Sequence, residues 1–435
     1  MDKLGKFAYE RPELLYYYKG IVEVPTLQMV DDILGIQKCS PQSEQLNTVI
    51  NTFMDLEKLT LSKTKCSKIH IGKQTNLCSN LKIGEADMKD SSSEKYLGDI
   101  IHKSGNQKTN IEARIAKGKG IVKTILAMIQ ESPLGWSRVK AGLILREALL
   151  INGMMFNAEA WHGVRQEDVD ALEQVDQALL RGLVDGHAKT PVAALYLELG
   201  CTPLRYILAS RRIMYLHTIL NRKDSEVTKK IYEAQKIDSN KGDFSRLVKI
   251  DLERIKLNKT DDEIKTMKKA ELKSMVKRKV KEAAFEYLNE KKGSKLFKLR
   301  HTKLETTEYL KSPKFQQKKS SLLFALRTRT VRGIRSDFGG QYQDKECPLP
   351  GCSHPDTLAN LLTCPTIRDR LGATDATIIA YEDVFSQDIG CLRKATDVYE
   401  KILEIRKDLE EDNGTPAAAP AGPLHLLLTA PAAKL

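Results

Sequence analysis

The feature that most constrains the fold is a helical spacing of apolar residues that runs from about residue 110 to about residue 222. In its clearest stretch the apolar side chains recur at intervals of three or four positions: Val169, Leu172, Val175, Leu179 and Leu183. Such spacing places them on one face of a helix, which is stable only when it is buried against other helices. Residues 108–225 are therefore predicted to form a helical bundle with its own core.

Residues 14–105 have a different pattern, in which short apolar runs alternate with turn residues. The runs at 27–30 and 33–36 are separated only by Asp31 and Asp32, which is the spacing of a β-hairpin. A helical spacing follows at residues 43–58, and other short strands are predicted nearby. The fold class of the whole chain is therefore predicted to be α+β and mostly α.

The charge of the chain is unevenly distributed. Its 435 residues contain 70 Lys and Arg against 57 Asp and Glu, a net charge of +13. Residues 263–335 alone contain 22 basic and 7 acidic residues and so account for the entire surplus. Such a concentration favours a polyanionic partner, with nucleic acid ahead of an anionic membrane surface. Residues 226–340 are predicted to be a basic helical region, with a solvated helix face as the alternative.

Two groups of cations in this region are the predicted nucleic-acid contacts. Lysines recur every fourth residue along a long predicted helix, and a denser arginine patch follows. Cations at helical spacing neutralise several phosphates, and the planar guanidinium suits phosphate especially well. The predicted contacts are Lys273, Lys277, Arg278, Lys281, Arg327, Arg329, Arg332 and Arg335.

The cysteines and the apolar runs indicate the compartment. Eight cysteines spread thinly over a long chain are not the pattern of a disulfide framework. The chain opens without a signal-peptide pattern, and no stretch approaches the roughly 20 apolar residues that span a bilayer. We expect an intracellular protein without membrane partners, with the nucleus as one candidate compartment. Nothing in the sequence predicts the oligomeric state.

The two adjacent carboxylates of the predicted hairpin, Asp31 and Asp32, require a physical explanation. Neighbouring carboxylates repel each other unless a cation lies between them. Carboxylates that hold a pair of Mg²⁺ ions are the arrangement used in two-metal phosphoryl transfer. A solvated surface turn is the alternative, because Asp-Asp is common in turns.

Three ordered segments resemble the palm of reverse transcriptases. Residues 29–34 resemble the acidic hairpin of these enzymes, residues 59–66 resemble the lysine-bearing segment that follows it, and residues 95–98 resemble the Tyr-Leu-Gly turn that grips the primer. Their order and intervals are similar to those of non-LTR retrotransposon polymerases. Residues 156–161 and the helices around them resemble the thumb of that class, and the resemblance extends over about residues 14–410.

The resemblance implies a partial polymerase palm at residues 14–105, built of short antiparallel strands and a helix, and a helical thumb at residues 108–225. It also implies an RNA-directed DNA polymerase, a nucleotidyltransferase that uses Mg²⁺, an RNA template and a DNA primer or target. At the matching positions, the resemblance implies that Asp31 and Asp32 hold the metal and that Lys65 lies near the incoming triphosphate. It implies that the turn of Tyr96, Leu97 and Gly98 positions the primer terminus.

One departure from the family pattern limits the expected activity. The family's other metal-binding aspartate, and the segment that covers the template and the nucleotide, lie further upstream than the thirty residues that precede Asp31 here. None of the acids among those residues lies in the family's context: Asp2, Glu10, Glu13 and Glu23. We therefore expect a truncated element, without fingers and first palm motifs, that is inactive as an isolated chain. The alternative is a non-catalytic, basic nucleic-acid-binding module with a vestigial palm.

A second cluster of potential ligands lies at residues 345–366, where Cys347 and Cys352 are followed by His354 and Cys364. Thiol and imidazole ligands at such short spacing indicate a tetrahedral Zn²⁺ site. Non-LTR elements carry a Cys-Cys-His-Cys knuckle here, whose histidine normally precedes the last cysteine closely, where this chain has Asn360. Two interpretations stay open: a zinc knuckle in which His354 replaces the usual histidine, and a decayed knuckle with free thiols.

The residues after the knuckle divide into two predicted regions. Residues 367–411 are expected to form C-terminal helices, because an amphipathic spacing runs from about residue 395 to residue 409. Residues 412–435 contain an Ala/Pro/Gly-rich run and are predicted to be a disordered tail.

Overall fold

The computed structural model of the chain is mostly helical with a few short strands, which confirms the predicted α+β, mostly α class. The structure describes residues 4, 11, 15–24, 27–29, 32–38, 40–62, 64–72, 81–83, 86–130, 137–293, 296, 298–312, 315–331, 334, 345–372 and 379–412. Three of the predicted site residues, Asp31, Arg332 and Arg335, lie outside the described residues, and so does the predicted tail from residue 413 onward.

The N-terminal region combines short strands with one helix, as its sequence predicts. In chain order the strands are β1 (Tyr16–Tyr18), β2 (Val22–Val24), β3 (Leu27–Met29), β4 (Asp32–Leu34), β5 (Ser67–Lys68), β6 (Lys82–Ile83), β7 (Ala86–Asp87), β8 (Lys89–Asp90), β9 (Ser93–Tyr96) and β10 (Asp99–His102). They pair two by two: β1–β2, β3–β4, β6–β7 and β9–β10 are antiparallel, and β5–β8 is parallel. Helix α1 (Ser40–Leu56) lies between β4 and β5 in the chain.

The remainder of the described chain is helical. The helices are α2 (Lys108–Gln130), α3 (Arg138–Leu145), α4 (Gln166–Leu183), α5 (Val192–Leu199), α6 (Leu204–Leu220), α7 (Val227–Ile237), α8 (Phe244–Arg254), α9 (Asp261–Thr266), α10 (Lys269–Lys291), α11 (Glu308–Lys311), α12 (Gln317–Thr328), α13 (Leu358–Leu361), α14 (Pro365–Leu371) and α15 (Ile389–Asp412). A π-helical turn (Arg146–Ile151) continues α3. Helix α4 begins three residues before Val169, the first apolar residue of the predicted spacing, and ends at Leu183, the last one.

The chain divides into two compact units that interleave along the sequence. Unit 1 comprises residues 1–114, 155–169 and 208–277, and unit 2 comprises residues 115–154, 170–207 and 278–435. Several helices, among them α10, therefore belong partly to each unit. The Cys-bearing segment and the C-terminal helices share unit 2, although the sequence suggests separate regions for them.

In unit 1, the β1–β2 hairpin packs on helix α7. Val22 and Val24 are buried against Ala234, because their alternate positions on β2 face the same side of the strand. Lys19, in the turn between the strands, lies 3.0 Å from Asp243 Oδ2 at the start of α8. The turn is thus fixed by both apolar contact and charge.

In unit 2, two carboxylates are buried together with arginine side chains. Arg146, in the π-helical turn, donates to both oxygens of Asp176 at 2.6 and 2.8 Å, and Tyr196 Oη donates to Asp176 Oδ2 at 2.9 Å. Glu198 of α5 accepts hydrogen bonds from Arg327 at 3.0 Å and from Tyr309 Oη at 2.8 Å. A buried charge is tolerated only when it is paired in this way.

The buried position of Arg327 corrects one prediction. Its guanidinium donates to Glu198 and, at 2.9 Å, to the carbonyl oxygen of Val384, and the residue is only 5% exposed. A cation so enclosed is not available to a phosphate. Arg327 is therefore a structural residue of unit 2 and not a nucleic-acid contact.

Within the described ranges, no single helix is both long enough and apolar enough to cross a bilayer. Helices α5 and α6 together have the required length and composition, but they are bent by 61° at the break between them.

Replacing Glu198 with Gln tests the contribution of the buried cluster to stability. Burial alone raises the pKa of Glu198, but Arg327 and His301 outweigh it and lower the pKa to about 2. The carboxylate thus stabilises the fold above its unfolded pKa, and this stabilisation, on the order of 3 kcal/mol, is lost as the pH falls from about 4.5 to about 2. Glu198→Gln also leaves Arg327 buried without a counter-charge, so we expect a loss of roughly 3–5 kcal/mol at neutral pH.

The measurement is chemical denaturation of the wild type and the variant between pH 7 and pH 3. The acid-dependent loss of stability should be smaller in Glu198→Gln than in the wild type. The control is Glu112→Gln, because Glu112 is an exposed residue in a long surface ion pair with Lys108. A variant as stable as this control would show that the buried pair contributes nothing.

Candidate functional site

The predicted acidic hairpin is present as strands β3 and β4. Leu27 pairs with Leu34 and Met29 pairs with Asp32, so two residues, 30 and 31, link the strands. Asp32 is exposed and opens β4, whereas its expected place was in the turn itself. A two-residue link is the preferred connection between antiparallel strands, and the apolar runs on either side supply the strand residues.

The Tyr-Leu-Gly segment forms a second hairpin. Tyr96 ends β9 and pairs with Asp99, the first residue of β10, so Leu97 and Gly98 alone make the turn. Both have positive φ angles, 49° and 89°, which is the signature of a type I′ turn. Glycine adopts this conformation freely, whereas leucine does so only at a cost.

The two hairpins contact each other through the side chain of Tyr96. Its hydroxyl donates to the carbonyl oxygen of Leu27 on β3 at 3.4 Å. Burial, reinforced by the nearby Asp32 carboxylate, raises the pKa of the Tyr96 phenol. Two of the three segments that resemble a polymerase palm thus lie side by side in unit 1.

The carboxylate of Asp99 ties the second hairpin to the helical part of unit 1. Four side chains from two segments donate hydrogen bonds to it: Arg114 at 2.7 Å, Asn110 at 3.1 Å, Trp161 at 3.3 Å and Asn157 at 3.4 Å. Two of the same side chains also hold the turn. Arg114 donates to the carbonyl oxygen of Gly98 at 2.6 Å, and Asn157 donates to that of Leu97 at 3.3 Å.

The lysine-bearing segment leads into the parallel strand pair. Lys65 is exposed, and its backbone N–H closes a turn on the carbonyl oxygen of Ser62 at 3.1 Å. The following strand, β5, pairs with β8, and Ser91 donates to the carbonyl oxygen of Lys68 at 2.9 Å. This attaches the segment to the chain just before β9, but no contact joins Lys65 to Asp32 among the described residues.

The three cysteines of the knuckle region come together in unit 2. The Sγ atoms of Cys347, Cys352 and Cys364 all lie within 4.8 Å of one another, so these residues could hold a metal ion. Burial, opposed by a hydrogen bond from the Leu349 backbone and reinforced by the neighbouring thiols, raises the pKa of Cys347 to about 12. Burial likewise raises the pKa of Cys364, against a hydrogen bond from the Ile367 backbone.

His354 is the part of the predicted ligand set that does not join this group. Its carbonyl oxygen accepts from the Cys347 backbone at 2.8 Å, but its exposed side chain is not among the clustered ligand atoms. Asn360 is engaged elsewhere, because its amide donates to the carbonyl oxygen of Pro355 at 3.0 Å. The described residues thus supply three ligands to this cluster.

Helix α15 holds the cysteine loop from outside. Arg406 donates to both oxygens of the buried Asp356, at 2.5 and 3.1 Å, and Tyr399 Oη donates to the carbonyl oxygen of Leu358 at 3.0 Å. Leu349, Leu358 and Leu361 add buried apolar contacts. The loop is therefore held by buried hydrogen bonds to α15.

The remaining predicted contacts lie on or near two helices. Lys273, Lys277, Arg278 and Lys281 are exposed on α10. They alternate with a buried stripe that repeats every fourth residue as well: Leu272, Val276, Val280, Ala284 and Leu288. Because both series have the same period, the lysines keep a constant angle to the stripe along the helix. Arg329, just after α12, lies over the ring of Tyr381 at 5.5 Å.

Sequence reasoning missed the residues that hold the Tyr-Leu-Gly turn. Arg114 and Asn110 lie in α2, whose apolar spacing predicts a buried helix face but no contact with the turn, and Asp99 follows the Tyr-Leu-Gly segment without belonging to it. The one available signal was Asn157 and Trp161, which fall in the segment that resembles the thumb. Their role depends on contacts with residues about 60 positions away, which no local pattern shows.

Comparison with known proteins gives no relative for this arrangement. No protein-family model, no curated protein and no solved structure matches the chain.

The turn is tested by replacing Gly98 with Ala. A Cβ atom there would lie 3.0 Å from Cε1 of Phe156, on a backbone with a φ of 89°. We expect the free energy of unfolding to fall by more than about 1 kcal/mol, because alanine is strained at positive φ. The matched control is Gly120→Ala in α2, where a Cβ meets nothing within 4 Å and helix propensity predicts a gain of up to about 1 kcal/mol. Equal denaturation midpoints for both variants would contradict the assigned turn.

Proposed function

We propose that this chain is the acidic-hairpin, thumb and knuckle portion of a reverse transcriptase of the non-LTR type, and that it binds nucleic acid at strand ends. The observation that supports the proposal best is the contact between the hairpin of Asp32 and the Tyr-Leu-Gly hairpin through Tyr96. In the enzymes that the sequence resembles, these two segments serve the metal and the primer terminus. RNA template and DNA primer or target are the proposed partners.

The described residues do not fit a complete Mg²⁺ site. Asp32 is exposed, and no group of three clustered His, Cys, Asp or Glu ligands includes it within the ranges that the structure covers. A hard divalent cation requires several oxygen ligands in near-octahedral geometry. We therefore propose no catalytic step through Mg²⁺ for the isolated chain, and we expect it to bind primer–template without extending it.

Binding is proposed to involve two surfaces of different character. The Leu97-Gly98 turn presents a fixed backbone at the place of the primer terminus, and the exposed cations of α10 contact phosphates. Within the described part of the chain, Lys273 and Lys277 form no ion pair, which leaves their charges available. Few aromatic residues lie among these cations, so backbone contact dominates over base stacking on α10.

We also propose that the three cysteines bind Zn²⁺. Zn–S bonds of about 2.3 Å in tetrahedral geometry place sulfur atoms roughly 3.8 Å apart, and sulfurs already within 4.8 Å of one another need little movement to reach that spacing. Burial raises the pKa of Cys347 and Cys364, so the ion has to displace their protons, and the backbone N–H groups that donate to these two thiols offset part of that cost. The fourth ligand is then a water molecule or a His354 side chain in a different rotamer.

The proposed function is tested by binding and extension on a labelled DNA primer annealed to an RNA template. The wild type should bind, with an affinity that falls steeply with salt, and should add no nucleotide. Replacing Lys273, Lys277 and Lys281 by Ala should reduce the log–log salt slope by about 2, because each lost phosphate contact contributes roughly 0.7–0.9. Absence of binding at low salt would contradict the proposal.

Two further variants control this experiment. Replacing Lys394, Lys401 and Lys407 on α15 by Ala removes three exposed charges from another helix and should change the slope little. Extension by the wild type that disappears in Asp31→Asn/Asp32→Asn would show a complete polymerase site and overturn the expectation of binding without synthesis.

Zinc binding is tested by titration with Co²⁺, whose thiolate complexes absorb in the near ultraviolet. The wild type should develop this absorption, and Cys364→Ser should lose most of it, because two thiolates hold the ion more weakly than three. Cys66→Ser is the control, since Cys66 lies outside the cluster. His354→Ala decides the fourth ligand: reduced affinity would assign it to His354. Absorption unchanged in Cys364→Ser would exclude the proposed site.

A further inference from the structure

The ring of Phe156 lies directly over the Leu97-Gly98 turn. A Cβ on Gly98 would approach Cε1 and Cδ1 of Phe156 to 3.0 and 3.4 Å, so the ring packs on the glycine backbone. The residue nevertheless remains 49% exposed, and Leu97 beside it remains 42% exposed. A large aromatic side chain that packs on a turn and stays half exposed leaves part of its surface accessible to a ligand.

A buried cation supports the same ring. The guanidinium carbon of Arg114 lies 5.6 Å from the centroid of the Phe156 ring. Its side chain is 7% exposed and is fixed by hydrogen bonds to Gly98 and Asp99. The cation attracts the ring electrostatically, and Asn157 fixes the backbone directly after it by its bond to Leu97. The ring is thus held in place without being enclosed.

The exposed surface around the Phe156 ring suits the end of a nucleic-acid strand better than it suits a protein partner. Tyr96 lies on the same hairpin as the turn and contacts the hairpin of Asp32, and Arg114 is a cation beside the ring. The exposed apolar surface consists of few side chains, which is too little for a stable protein interface. A single nucleobase, by contrast, is recognised by stacking on one aromatic face.

We propose that Phe156 stacks on the terminal nucleobase of a nucleic-acid strand whose 3′ end lies at the Leu97-Gly98 turn. Arg114 and Asp99 are positioning residues for this contact, because they hold the ring and the turn but do not face the ligand. This inference rests on the proposed function and adds to it a residue that contacts the base. Stacking on one base contributes about 1–3 kcal/mol, or a factor of about 5 to 150 in affinity.

The test uses oligonucleotides that carry the fluorescent base 2-aminopurine at the 3′ end, at the 5′ end or at an internal position. Stacking on an aromatic ring quenches this fluorophore. The wild type should quench the 3′-terminal probe more than the other two. Phe156→Leu keeps an apolar side chain on Gly98 without a ring, so it should lose the 3′ quenching and weaken binding of short primer–templates about 5- to 150-fold. Phe156→Tyr keeps the ring and should retain both.

The control is Ile250→Ala on α8, which removes an apolar side chain of similar exposure, 42%, elsewhere in unit 1. It should leave quenching and affinity unchanged, and thermal denaturation should show that all variants are folded. Binding with unaltered 3′ quenching in Phe156→Leu would overturn the inference and leave the proposed function standing. A wild type that binds none of the probes at low salt would overturn the proposed function and the inference with it.

Discussion

The candidate site depends on one carboxylate, that of Asp99. It receives hydrogen bonds from α2, from Asn157 and from Trp161, so a strand, a helix and an irregular segment converge on two oxygen atoms. A carboxylate that accepts several hydrogen bonds, one of them from a buried guanidinium, holds its neighbours in a fixed geometry. The left-handed conformation of Leu97 persists because these contacts offset its cost. Without them, neither the turn nor the Phe156 ring would keep its position.

Unit 2 is also stabilised by buried carboxylates that accept several hydrogen bonds. Asp176 and Glu198 are completely buried, and each is surrounded by an arginine and a tyrosine. Because each cluster joins residues from several helices, it fixes how those helices pack as well as adding stability. Each of these arginines is paired with a buried carboxylate, so its burial leaves the net charge of the surface unchanged. Burial does remove individual cations, such as Arg327, from the set that a partner could contact.

Patterns local in sequence predicted local structure well. The hairpin of Asp32 follows from two short apolar runs, and α4 follows from its spacing of apolar residues. The turn at Leu97 was implied only by the resemblance of residues 95–98 to the primer-gripping segment. The prediction that failed concerns a contact between distant positions, because Arg327 pairs with Glu198, 129 residues away. His354 lies close to the cysteines along the chain, but its side chain is not among the clustered ligand atoms. Composition and spacing reflect the residues that are near in sequence, whereas the burial of a side chain depends on elements that are distant in sequence and pack against it.

The contacts between α15 and the cysteine loop bear on whether metal binding at this loop would be coupled to its folding. In small zinc modules the metal supplies the folding energy, so removal of the metal unfolds them. Here Arg406, Tyr399 and three buried leucines already organise the loop around the thiols. Loading and unloading would then be an exchange reaction on a preformed scaffold, governed by ligand chemistry and access. A chelator would then remove the ion from the cysteines while the loop stayed folded.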